Sequence, residues 1–85
     1  MADDGIEAGR KAAIVIGAAN SCEGVDAEYR YVEYLLGPEN VKWHLCFQEL
    51  IFDEEGVPFD KLTIELFDGT FREFWFDISS FYGRY

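Results

Sequence analysis

The dipeptide Asp68-Gly69 stands between two strand-like runs, LTIELF before it and TFREFWFDI after it. Asp-Gly in that setting is the strongest short-range hairpin signal, because a type I′ turn needs positive φ at both central residues. A two-residue loop then sets the pairing. Phe67 opposes Thr70, Leu66 opposes Phe71, Glu65 opposes Arg72, Ile64 opposes Glu73, Thr63 opposes Phe74 and Leu62 opposes Trp75. On this register Leu62, Ile64, Leu66, Phe71 and Trp75 share one face with Glu73. Glu65, Phe67, Arg72, Phe74 and Phe76 share the other, so both faces want cover. A one-residue bulge near Phe74 would carry Phe74, Phe76 and Ile78 to the first face and relieve the conflict, which leaves the register past Arg72 with two solutions.

Ahead of the hairpin, residues 1–10 hold acids and glycines around a single Ile6 and are expected to fray, leaving residues 11–85 as a single domain. The run KAAIVIGAA from Lys11 to Ala19 reads as a strand buried on both faces, with a helix as the alternative that its alanines permit. Asn20 to Val25 is turn material, and Asp26 is placed as the N-cap of a helix AEYRYVEYLL. Val25, Tyr29, Val32 and Leu36 form its apolar stripe, widened by Leu35, while Glu28, Arg30 and Glu33 face water. Asp26 and Arg30 are spaced as an i,i+4 pair, and Gly37-Pro38 stops the helix.

In VKWHLCFQELIF, the residues Trp43, Leu45, Phe47 and Ile51 alternate with His44, Cys46 and Gln48 as in a half-buried strand, and DEEGVPFD connects it to the hairpin. The tail is expected to make one helical turn capped by Ser79 and stopped at Gly83, laying Phe81 and Tyr82 on the sheet. The order is strand, helix and three antiparallel strands, an α+β domain with its helix packed on one sheet face.

A chain of 85 residues buries a modest share of its surface, so it needs a core dense in large side chains, and 49% hydrophobic with 18% aromatic residues supplies one. A net charge of -10 repels nucleic-acid backbones and anionic membranes and favours a protein partner of basic character. No run approaches the ~20 apolar residues of a membrane-spanning helix. Cys22 and Cys46 occur without a clear export signal, which points to a reducing, cytoplasmic setting and free thiols.

Chemistry is sparse. His44 and Cys46, two residues apart on one strand, are the only reactive pair, and they lack a nucleophile turn or an oxyanion motif. No cofactor and no metal is expected. Zinc wants four ligands at short spacing, and Cys22, His44 and Cys46 are the chain's complete set of cysteine and histidine. Asp53-Glu54-Glu55-Gly56 lacks the acid spacing of a calcium loop, and IGAAN has one glycine where a dinucleotide site needs three. Glu65 and Glu73 fall on opposite faces in the two-residue register and cannot share acid/base work.

The residues therefore favour a non-enzymatic interaction domain, an adaptor, inhibitor or regulator, with Tyr31, Tyr34, Phe74, Phe76, Tyr82 and Tyr85 as candidate contact residues. Phe74 and Phe76, if uncovered, would also drive a weak homodimer. The alternatives are a small enzyme or ligand-binding protein with a pocket between helix and sheet near His44 and Cys46, and an acidic mimic of nucleic acid.

Overall fold

The computed structural model describes residues 12–84; the segment 1–10 expected to fray, and Tyr85, lie outside the described residues. In chain order the elements are β1 (Ile14–Val15), α1 (Ser21–Leu36), β2 (Trp43–Phe52), β3 (Pro58–Leu66) and β4 (Phe71–Asp77). They build one mixed sheet in the order β1-β4-β3-β2, in which β2, β3 and β4 form an antiparallel meander and β1 runs parallel to β4. The chain thus leaves one edge of the sheet, passes through α1 and re-enters at the opposite edge. This is the α+β class expected of the sequence. Among the described residues no helix is long and apolar enough to cross a membrane.

β1 is shorter and less covered than KAAIVIGAA suggested. Ile14 lies opposite Phe76 and Val15 opposite Asp77, and the Ile16 N–H donates to the Asp77 carbonyl at 3.1 Å. Ile16 is buried, yet Val15 is 72% exposed. Strand side chains alternate between faces, and at β1 the face that carries Val15 is left exposed.

α1 starts well before Asp26. Asn20 is the N-cap, extended at φ −152°, and its side-chain oxygen accepts from the Glu23 N–H at 3.0 Å. Asp26 sits inside the helix and pairs with Arg30 at 2.8 Å, as its spacing predicted. Gly24 made this region read as a turn. Its actual role is packing: the Phe81 ring lies against it so closely that any Cβ there would overlap the ring. The helix ends where expected, at Gly37 with φ 99°, whose N–H donates to the Glu33 carbonyl at 2.8 Å.

The buried helical positions are Gly24, Glu28 and Val32, a stripe turned by one residue from the predicted one, so that Val25 and Leu35 are exposed and Glu28 is not. Val32 joins Ile16, Trp43, Leu62, Ile64, Phe76, Ile78 and Phe81 in one buried cluster. Tyr31 meets Phe74 and Phe76 edge-on, with ring centroids 6.4 and 5.9 Å apart, and the Trp43 indole N–H donates to the Gly37 carbonyl at 2.8 Å.

The hairpin forms where Asp68-Gly69 placed it, but its turn differs by one residue. The Leu66 N–H donates to the Thr70 carbonyl at 2.7 Å, and Glu65 pairs with Phe71, Ile64 with Arg72, Leu62 with Phe74 and Asp60 with Phe76. Phe67, Asp68 and Gly69 make a three-residue loop in which Gly69, not Asp68, takes positive φ (87°). That is the geometry of a type I turn closed by a left-handed glycine. Asp68 holds it by accepting from the Thr70 N–H at 3.0 Å and the Thr70 hydroxyl at 2.7 Å. One residue of slip exchanges the faces. Phe74 and Phe76 therefore join Leu62 and Ile64, while Trp75 turns away, and the conflict is resolved at the turn with no bulge near Phe74.

The tail fastens across the start of α1. Phe81 is buried, Gly83 has φ 79°, and the Ser21 N–H and hydroxyl both donate to the Arg84 carbonyl at 2.7 and 2.8 Å. Its cap is Asp77, which accepts from the Ser79 N–H and hydroxyl, and not Ser79 itself.

Candidate functional site: the uncovered sheet face

Register and alternation give the sheet face away from the cluster four residue rows across β2, β3 and β4. His44, Glu65 and Phe71 lie at one end, then Phe47, Thr63 and Glu73, then Glu49, Lys61 and Trp75, then Ile51, Phe59 and Asp77, where Phe59 is buried. Lys61 is the electrostatic centre. Its ammonium lies 3.2 Å from Glu73, 3.7 Å from Glu49 and 5.7 Å from the centroid of Trp75, and Trp75 in turn meets Phe59 edge-on. Phe47 is 66% exposed and Phe71 62%. Large aromatic side chains set among acids, with one lysine between them, are the chief feature of this face.

A register shift between Leu45 and Phe47 shapes it. Trp43 and Leu45 point toward the core, the extra residue Cys46 bulges, and Phe47 moves to the outer face, where uninterrupted alternation would have kept it inside. The shift also carries Gln48 to the face of Leu62, where it stays exposed and its amide donates to Asp60 at 2.9 Å. It leaves Cys46 beside His44. The His44 Nε2 is 3.1 Å from a Glu65 carboxylate oxygen across the ladder, and one ligand atom from each of His44, Cys46 and Glu65 lies within 4.8 Å of the other two. Both cysteines are free thiols. The separation of cysteines and histidine along the chain, which argued against a metal, overlooked Glu65, supplied by the neighbouring strand.

Among the described residues, His44 lies on the sheet face away from the buried cluster, and the cleft beside it is not formed by helix and sheet. The cleft at His44, about 190 Å³, is lined by Asn40, Val41, Trp43, His44 and Phe67, the loop after α1 and the hairpin tip. Glu65 and Glu73 share the outer face after all, because of the one-residue slip. They remain separate in function, Glu65 bound to His44 and Glu73 to Lys61.

On the covered side the polar chemistry is different. Glu28 is 0% exposed, and among the described residues its carboxyl group has only the Asp60 carboxyl as a polar neighbour, to which a protonated Glu28 can donate. Burial pushes its pKa up to about 9, and the neighbouring Asp60 carboxyl, itself buried, pushes the same way. At neutral pH Glu28 is therefore a protonated, uncharged acid. Nothing in the local pattern signals this, since a glutamate between helix-forming residues is ordinarily solvated.

The proposed contact residues divide. Tyr34 and Tyr82 are exposed, Tyr31 and Phe74 are half-buried against the sheet, and Tyr85 lies outside the described residues. Phe76 is fully buried in the core and is not a contact residue, because the three-residue turn places it opposite Asp60 beneath the helix. The exposed aromatics of the outer sheet face, Phe47 and Phe71, stand at positions that the sequence alternation assigns to the core. No family model, curated protein or solved structure matches the chain.

Proposed function

We propose that the protein is a non-enzymatic interaction domain whose uncovered sheet face docks a segment of a partner protein carrying Lys or Arg beside apolar side chains. The exposure of Phe47 and Phe71 on the face that also carries Glu49, Glu65 and Glu73 supports this reading most strongly. Exposed aromatics supply contact area, and the acids select the sign of the partner's charge. Lys61 over Trp75 shows how a cation seats on this surface, in reach of carboxylate and ring together.

A second copy of the chain fits the face poorly. Stacking two such faces would oppose like acids in molecules of net charge -10, with Phe76 unable to help because it is buried. Mimicry of nucleic acid is also less well supported, since the acids alternate with Phe47, Phe71 and Trp75 and form no continuous row.

A displayed random-peptide library selected on the folded protein tests the proposal. Enriched peptides are expected to combine Lys or Arg with aromatic or aliphatic residues, and to shift the backbone amide resonances of Phe47, Thr63, Phe71 and Glu73. Enrichment of acidic peptides, or shifts confined to α1, would overturn it.

A further inference from the structure

We propose that His44, Cys46 and Glu65 form a binding site for a zinc-type divalent cation, with three protein ligands and a fourth position open to solvent. The site lies at one end of the outer sheet face and shares Glu65 with the proposed docking surface, but its geometry is its own. One donor atom from each residue lies within 4.8 Å of the other two, and His44 and Glu65 are already in contact at 3.1 Å. Around a tetrahedral zinc with bonds of about 2.0–2.3 Å, ligand atoms sit roughly 3–4 Å apart, so small side-chain rotations close the set.

The backbone supplies the reason these three residues meet. His44 faces Glu65 directly across the β2–β3 ladder, and the shift after Leu45 makes Cys46 the unpaired, bulged residue. A bulge re-aims a side chain without breaking the sheet on either side. The three ligands thus come from a rigid strand pair, which needs little reorganisation to bind an ion.

Donor chemistry selects the class of cation. A thiolate, an imidazole nitrogen and a carboxylate oxygen suit zinc and its close transition-metal neighbours, while magnesium and calcium prefer oxygen donors alone. On binding, a metal–sulfur bond replaces the Cys46 S–H bond and that proton passes to solvent. The imidazole proton moves from Nε2 to Nδ1, freeing the Nε2 lone pair for the metal, and Glu65 exchanges its hydrogen bond with His44 for a metal–oxygen bond. Thiolate and carboxylate together balance the charge of a divalent ion, in a chain whose net charge of -10 attracts cations. With three protein ligands, the fourth position falls to water or to an incoming donor.

Cobalt(II) titration of the full chain under reducing conditions tests the site, because a cobalt–thiolate bond gives a charge-transfer absorption that oxygen-bound cobalt lacks. One equivalent is expected to produce that band and zinc to displace it. Cys46→Ser should abolish the band, and Cys22→Ser should leave it intact. His44→Ala and Glu65→Gln should weaken binding at least tenfold, since even residues that only support a ligand cost about 10–100-fold. His44 is an exposed side chain, so its variant reads out binding even if Cys46→Ser disturbs the fold. Absence of the band in the wild type, its survival in Cys46→Ser, its loss in Cys22→Ser, or unchanged affinity in His44→Ala would each overturn the proposal.

Discussion

Alternate residues of β3 face opposite sides of the same sheet, and the two sides treat polar groups in opposite ways. Asp60 lies on the covered side beside Glu28, where burial and the Asp60 carboxyl keep Glu28 protonated and neutral. Lys61, one residue on, lies between Glu49 and Glu73 on the outer face, where every partner is solvated and charged. The covered side derives its stability from packing and tolerates a carboxyl at a cost that depends on pH. On the open side, Phe47, Phe71 and several charges remain exposed, and under the proposed function their contact free energy is left for another molecule.

Truncation on the covered side should have the largest effect. Phe76→Ala removes a fully buried ring from the centre of the cluster and is expected to cost about 3–5 kcal/mol in urea unfolding. A loss under about 1 kcal/mol would mean the two faces are less different than the burial indicates.

Titration of Glu28 comes next. Its pKa is raised in the folded state, from the usual 4.5 to about 9, so its contribution to stability is fully present below pH 4.5 and is lost as pH rises toward 9. Each pH unit within that window costs at most ~1.4 kcal/mol, and from pH 5.5 to pH 8 the wild type should lose roughly 3 kcal/mol. Glu28→Gln should flatten the profile and be the more stable protein at pH 8. Parallel profiles for the two proteins in urea melts at both pH values would show that Glu28 does not set the slope.

Where sequence reasoning succeeded, the signal was local. Gly37-Pro38 ends the helix because left-handed backbone and a missing N–H act at those residues themselves, and Asp68-Gly69 marks a hairpin for the same reason. It failed where one residue of backbone geometry decides a whole face. A type I turn with Gly69 alone at positive φ, in place of type I′, exchanged Phe74 and Phe76 with Trp75. The bulge at Cys46 did the same for Phe47. Gly24 concealed the first turn of the helix because its function is to admit Phe81, a contact made by a residue far along the chain. Of the metal-ligand cluster, the proximity of His44 and Cys46 was legible from their spacing. Glu65 was not, since its position depends on the β2–β3 register.

The division of the sheet into a structural and a contact face is tested most directly by measuring stability and binding together on the double variant Phe47→Ser/Phe71→Ser. Both rings are mostly exposed, so unfolding free energy in urea should change by less than about 1 kcal/mol, the span of strand propensity. Affinity for a library-selected basic peptide should fall at least tenfold. A stability loss above about 2 kcal/mol, or an affinity equal to that of the wild type, would contradict the assignment of this face to binding.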